Sequence, residues 1–180
     1  MTAPDAIQAA MDQAVQDGVF PGAVLAVRLH DSLHCLVSTG RLSTDPPGEQ
    51  VELSTVYDLA SLTKPLVTAT SLLLLVQGGK LFLDDSIQKY LIELHGFPIG
   101  QATIRDLLNH SAGLPGWRPL YERLEAKGMV ADQGQPSVVR EAVLQLIRDE
   151  PLIYGRGERS LYSDLEIGRA SCRERVYGPV

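Results

Sequence analysis

The chain has 180 residues, 44% hydrophobic and 21% charged, a composition that fits a globular protein and excludes a disordered or fibrous one. Sixteen Lys and Arg against 22 Asp and Glu leave a formal charge of −6, and with no basic block nucleic acid is not an expected partner. The two cysteines, Cys35 and Cys172, make neither a disulfide framework nor a zinc cluster; H-E-x-x-H, C-x-x-C and G-x-S-x-G are absent, so no metal or cofactor is expected.

In chain order, Ala6 to Val19 places Ile7, Ala10, Met11 and Val15 on one face and predicts a helix ending near Gly18. Pro21-Gly22 turns the chain into a Val- and Leu-rich run broken at His30-Asp31-Ser32, which predicts an antiparallel hairpin over 22–42. Ser43 to Gln50, with Pro46-Pro47-Gly48, reads as a loop, and Val56 to Ala60 as extended. Leu62 through Val76 has no Gly and a single Pro where a first helical turn accepts one, so it predicts a helix closed by Gly78-Gly79. Being apolar on nearly every side, that helix is expected to be buried all round. Its longest apolar stretch, Pro65–Val76, has 12 residues, short of the roughly 20 a bilayer requires, so no membrane span is expected. Further helices are predicted at Ser86–Glu93, Ile104–Asn109, Leu120–Lys127 and Ser137–Arg148. Helix and strands first, then a run of helices, read as an α+β protein with a helical region.

The segment from Ile167 is abruptly basic and resembles one reading frame of a common sequencing adapter. It is read as a non-native tail, the alternative being a natural basic terminus, and is set aside from functional reasoning. Residues 1–166 then carry 13 basic and 21 acidic residues. The expected organisation is an N-terminal helix and first strands over 1–60, a helical region over 61–166, and the tail over 167–180. The N-terminus lacks a basic start followed by an apolar core, which predicts a cytoplasmic chain.

The motif left to carry chemistry is S-x-x-K, present as Ser61-Leu-Thr-Lys64 and as Ser86-Ile-Gln-Lys89. Ser86 follows Asp84-Asp85 and reads as a helix start on a solvated surface. Ser61 stands where an extended segment meets an apolar helix. There, free backbone N–H groups favour a developing oxyanion, and residues three apart share a face, so Lys64 can reach the Ser61 hydroxyl. Apolar surroundings favour neutral lysine, a possible proton acceptor. Read alone, the pair stands equally well for a capping serine and a snorkelling lysine.

Four segments then occur in order: Ala60-Ser61-Leu-Thr-Lys64-Pro65, Gly79-Lys80-Leu81 with Leu83-Asp84-Asp85, Thr103 to Pro115 (TIRDLLNHSAGLP), and Tyr162-Ser-Asp164. Together they resemble the penicillin-recognising serine hydrolases, the superfamily of class C β-lactamases, D-alanyl-D-alanine peptidases and β-lactamase-like esterases, over residues 5–166. The resemblance implies a β-lactamase/transpeptidase-like fold, with an antiparallel sheet flanked by helices and a helical region, truncated here before the C-terminal strands. It implies Ser61 as acylated nucleophile, with Lys64 and Tyr162 as the other catalytic residues. The substrate would be a small ester, amide or peptide, including β-lactams, and no cofactor is implied. A non-catalytic ligand-binding or structural member of the same fold is the alternative. The family pattern ends in Asn where this chain has Asp164, a substrate-binding position; the carboxylate offers no donor and would hold a nearby Lys64 as ammonium, favouring Tyr162 as base. His110 is expected to act as a hydrogen-bonding scaffold. The family's third motif has no counterpart here, so the chain by itself is expected to be inactive.

Overall fold

A computed structural model of the chain describes residues 2–129 and 136–167. They divide into two compact units, the boundary falling between Asp58 and Leu59.

The first unit opens with α1 (Ala3–Gln16), which starts earlier than its apolar spacing suggests because Thr2 caps it. The Thr2 hydroxyl accepts from Asp5 N–H at 3.4 Å, and the Asp5 carboxylate accepts from Thr2 N–H at 2.8 Å. β1 (Gly22–Leu29) and β2 (Ser32–Gly40) form the expected antiparallel hairpin, in register from Gly22 opposite Gly40 to Leu29 opposite Ser32, with an irregularity at Val27/Arg28. The turn between them needs a left-handed residue, and His30 takes it at φ 53°. α1 is tied to β2 by Gln8, whose amide donates to Ser38 O at 3.2 Å, and by Asp12, which accepts from the Thr39 hydroxyl.

The second unit begins with a helical run that changes pitch along its length. Ala60–Leu62 form one 3₁₀ turn, Lys64–Ala69 a π-helical stretch, and Thr70–Gln77 the regular helix α2. Pro65 has no N–H to give an α-helical ladder, and the Thr70 hydroxyl reaches back five residues to Pro65 O at 2.9 Å, consistent with the wider turn. At the C-terminal end Gly79 is left-handed (φ 64°) and Lys80 N–H closes onto Leu75 O at 2.9 Å, the stop expected of Gly78-Gly79.

This run corrects two expectations. It is not buried all round: Leu62, Leu66, Val67, Leu73 and Leu74 are each more than half exposed. Apolar composition states what a helix would bury, whereas burial needs a covering surface, and none is present over these side chains among the described residues. The run is also longer than the sequence suggested. Ala60–Gln77 makes 18 helical residues, long and apolar enough by those measures alone to cross a bilayer, a test that many core helices also pass.

α3 (Ile104–Leu108), α4 (Leu120–Ala126) and α5 (Pro136–Arg148) lie close to their predicted positions. The helix predicted over 86–93 is instead two 3₁₀ turns, Ile87–Lys89 and Ile92–Leu94. Ser86 bridges Thr103, and Ile87 N–H donates to Ala102 O at 2.8 Å, which takes these groups away from a helical ladder. The core of the unit gathers Leu81, Ile87, Leu94, Ile99, Leu114 and Leu146 with their neighbours. The tail residues 168–180 lie outside the described residues.

Gly113 is needed where it stands. Its φ is 98°, and a Cβ there would lie 2.6 Å from Tyr154 O, while its own carbonyl accepts from Ile153 N–H at 2.9 Å. Gly113→Ala is therefore expected to lower stability by about 2 kcal/mol or more, read as a drop in the urea midpoint at unchanged slope. An unchanged midpoint would show that the loop accommodates the methyl group freely.

Candidate active site

Ser61 and Lys64 are placed by the narrow end of the helical run. Ala60, just before Ser61, adopts φ 41° rather than the extended conformation expected of it, a region that residues with a Cβ seldom enter. The tight 3₁₀ turn and the first π-helical residue then put Lys64 Nζ 3.0 Å from Ser61 Oγ. The Lys64 side chain is only 10% exposed. Across the cleft, Asp164 Oδ1 lies 2.7 Å from the same Nζ, and the Tyr162 ring centroid lies 4.9 Å from it. All four residues singled out in the sequence thus meet around one ammonium group. Ser86 and Lys89 do not join them: Lys89 pairs with Asp85 at 2.6 Å on an exposed surface.

The Tyr162–Asp164 segment has no regular secondary structure and is held by a cradle built from residues 109–116. Ser160 Oγ donates to Asn109 O at 2.7 Å, Leu161 N–H to His110 O at 2.8 Å, and Asp164 N–H to Gly116 O at 3.0 Å. Ser163, to which the sequence assigned no role, is fully buried between them. Its hydroxyl donates to Pro115 O at 2.7 Å and accepts from Leu165 N–H at 3.1 Å, so one side chain links its own segment to the cradle. Tyr162 and Asp164, on either side of this buried residue, are consequently turned outward, with Tyr162 about half exposed. Beside them an open cavity of about 460 Å³ is lined by Leu59, Leu62, Pro65, Leu108 and His110 together with Ser61, Lys64 and Tyr162.

Burial pulls Lys64 toward the neutral form, but the hydrogen bond and charge of Asp164, with Tyr162 alongside, outweigh it and hold Lys64 above the usual lysine value. The apolar helix taken alone favours a neutral lysine, but the carboxylate 100 residues away supplies the counter-charge and holds the ammonium, as expected of Asp164 beside Lys64.

Glu166 had no assigned role. Its side chain is wholly buried, and its carboxylate lies 3.7 Å from His110 Nδ1. Burial moves its pKa up to about 7, only partly offset by the backbone at Leu114 and Ala112. An acid raised on folding opposes the fold once ionised, so stability is complete below the ordinary Glu range and falls as pH climbs through about 7. Glu166→Met is expected to remove this slope, a difference of about 1–2 kcal/mol between pH 5 and pH 8 after allowance for solvent screening. Parallel pH–stability curves for the two proteins would refute it. Among the described residues no cluster of three or more His, Cys, Asp or Glu is arranged to hold a metal ion.

Comparison with known proteins places this geometry in context. A protein of Escherichia coli K12 named "Putative D-alanyl-D-alanine carboxypeptidase" is 38% identical over 120 residues, 62% of this chain and 26% of that protein. A protein of the same name from Salmonella agona SL483 is 33% identical over 119 residues, 63% of this chain and 26% of that one. The chain thus matches about a quarter of the length of these relatives. Among solved structures, a class C β-lactamase from Rhodobacter sphaeroides superposes with a TM-score of 0.66 at 24% identity, over 91% of this chain and 41% of that one. The D-amino acid amidase of Ochrobactrum anthropi SV3 does so with a TM-score of 0.65 at 25% identity, over 90% and 41%. The architecture is therefore the β-lactamase/transpeptidase-like fold, covering part of the length of those chains. The family model described as Beta-lactamase matches residues 7–178, nearly the whole sequence, and the chain belongs to that family.

Proposed function

We propose that this chain belongs to a serine hydrolase that works through an acyl-enzyme on Ser61. The observation that carries the reading is the convergence of Ser61 Oγ, Asp164 Oδ1 and the Tyr162 ring on Lys64 Nζ, at 3.0, 2.7 and 4.9 Å. Ser61 Oγ attacks an ester or amide carbonyl, and its proton passes to the side-chain oxygen of Tyr162, the general base in this reading. Collapse of the tetrahedral intermediate expels the alcohol or amine, which takes up that proton, and water then hydrolyses the acyl-serine. Lys64, held as ammonium by Asp164, sets a positive charge beside the oxygen on which negative charge develops. The Ser61 backbone N–H, in the first helical turn, is one candidate oxyanion donor.

Asp164 bears on the substrate. A carboxylate accepts hydrogen bonds but cannot donate to a substrate amide carbonyl as an asparagine would, so esters are favoured over β-lactams and peptides. Labelling of the full-length protein with a serine-directed phosphonate and mapping of the modified peptide tests the reading, with Ser61 expected to bear the label. A protein that binds such ligands without becoming labelled would instead be a non-catalytic member of the family.

A further inference from the structure

His110 stands outside the roles given to Ser61, Lys64, Tyr162 and Asp164, yet three independent contacts tie it to the segment that carries the last two. Its carbonyl accepts from Leu161 N–H at 2.8 Å and, in addition to these three, from the Tyr154 hydroxyl outside that segment at 3.3 Å. Its Nδ1 accepts from Ser163 N–H at 3.1 Å. Its ring packs on Tyr162, centroids 4.8 Å apart and planes inclined by 40°. The backbone at His110 is left-handed, φ 56°, a conformation costly for a residue with a Cβ; here it accompanies a carbonyl and an imidazole directed at the same short segment.

The Ser163 contact also dictates a protonation state. A ring nitrogen accepts a hydrogen bond only when it carries no proton, so Nδ1 is bare and the neutral ring holds its proton on Nε2. The charged or titratable groups around the imidazole are Lys64 on the helical run, Tyr162, Asp164 and Glu166 on the cradled segment, and Tyr154. Burial first, and then the Lys64 charge, keep the imidazole below the usual histidine value, with Asp164 opposing them. A proton arriving at Nδ1 would face the Ser163 N–H donor, and the bond would be lost.

We propose that His110 is a positioning residue: as the neutral Nε2–H tautomer it clamps Ser163 and Tyr162, thereby setting Tyr162 and Asp164 against Lys64, and its protonation releases that clamp. Its consequence for acylation rests on the proposed role of Ser61; the clamp itself does not.

Two-bond ¹H–¹⁵N correlation spectra of the labelled chain read the tautomer directly. At pH 7.5 the Nε2–H form is expected, with a titration midpoint below about 6.5, and the Ser163 amide and Tyr162 ring resonances should move at the same midpoint. His110→Asn keeps an acceptor near the Nδ1 position, whereas His110→Ala does not. Phosphonylation of Ser61 is expected to slow about 10-fold or more in His110→Ala and to be largely restored in His110→Asn, which should also lose the acidic limb seen in the parent. An Nδ1–H tautomer, a His110 titration that leaves the Ser163 amide unmoved, or parental labelling by His110→Ala would each overturn the proposal. Should His110→Ala fail to fold, the parent spectra decide the matter. Should Ser61 take no label in the parent, the hydrolase reading fails, while the spectra still decide whether His110 is the clamp.

Discussion

Ser61→Ala is expected to abolish covalent labelling by an activated ester or a serine-directed phosphonate, and to lower turnover in any active form of the protein by about 10³-fold or more. The loss is large because the alanine removes the bond-forming atom itself, whereas the surrounding donors contribute only stabilisation of charge. Ser86→Ala provides the matched control. It carries the same S-x-x-K spacing, but whereas Lys64 Nζ lies 3.0 Å from Ser61 Oγ, Lys89 is engaged by Asp85 and the Tyr90 phenol on an exposed surface. Full labelling is therefore expected to survive in Ser86→Ala. If the label instead disappears with Ser86 and persists without Ser61, the assignment is reversed; label on both serines would mean reactivity without a site.

How far the site was legible in the sequence depends on the distance over which each feature is encoded. Ser61 and Lys64 were readable because three residues in a helical turn share a face, and the 3.0 Å contact follows from that local geometry. The hairpin was equally local, read from a Val- and Leu-rich run with a short polar break at His30-Asp31-Ser32. Tyr162 and Asp164 could be named only through the family resemblance, since no periodicity links positions about 100 residues apart. The cradle that holds them was legible as a motif, Thr103 to Pro115, but its workings were not: the buried hydroxyl of Ser163 and the left-handed turn at His110 arise from packing of two irregular segments. The charge state of Lys64 was not readable from the helix alone, because electrostatics follows space, not sequence; it became readable once the family resemblance set Asp164 beside it. Exposure of Leu66, Leu73 and Leu74 was illegible for the same reason, since composition does not say which surface is available to cover a helix.

Asp164→Asn tests how the ammonium is used, because two schemes for the proton predict opposite signs. The substitution removes the carboxylate at 2.7 Å from Lys64 Nζ and leaves burial unopposed except by Tyr162, so the lysine pKa must fall. If Lys64 serves as ammonium beside a Tyr162 base, the alkaline limb of the pH–rate profile moves to lower pH and activity on the alkaline side falls relative to the parent. If neutral Lys64 were the base, the acidic limb would move down instead and activity at neutral pH would rise. The first outcome is expected. The linkage runs in the same direction for stability: a lysine raised on folding contributes stability that is complete below its unfolded value and is lost as pH rises through the folded one, so Asp164→Asn should weaken the fold at neutral pH and flatten its loss in alkali. The new amide N–H also gives the site a donor it lacked, and turnover of amide-bearing substrates relative to esters is expected to rise. An unchanged profile together with an unchanged ester-to-amide ratio would mean that the carboxylate, though paired with Lys64, has no part in the reacting site.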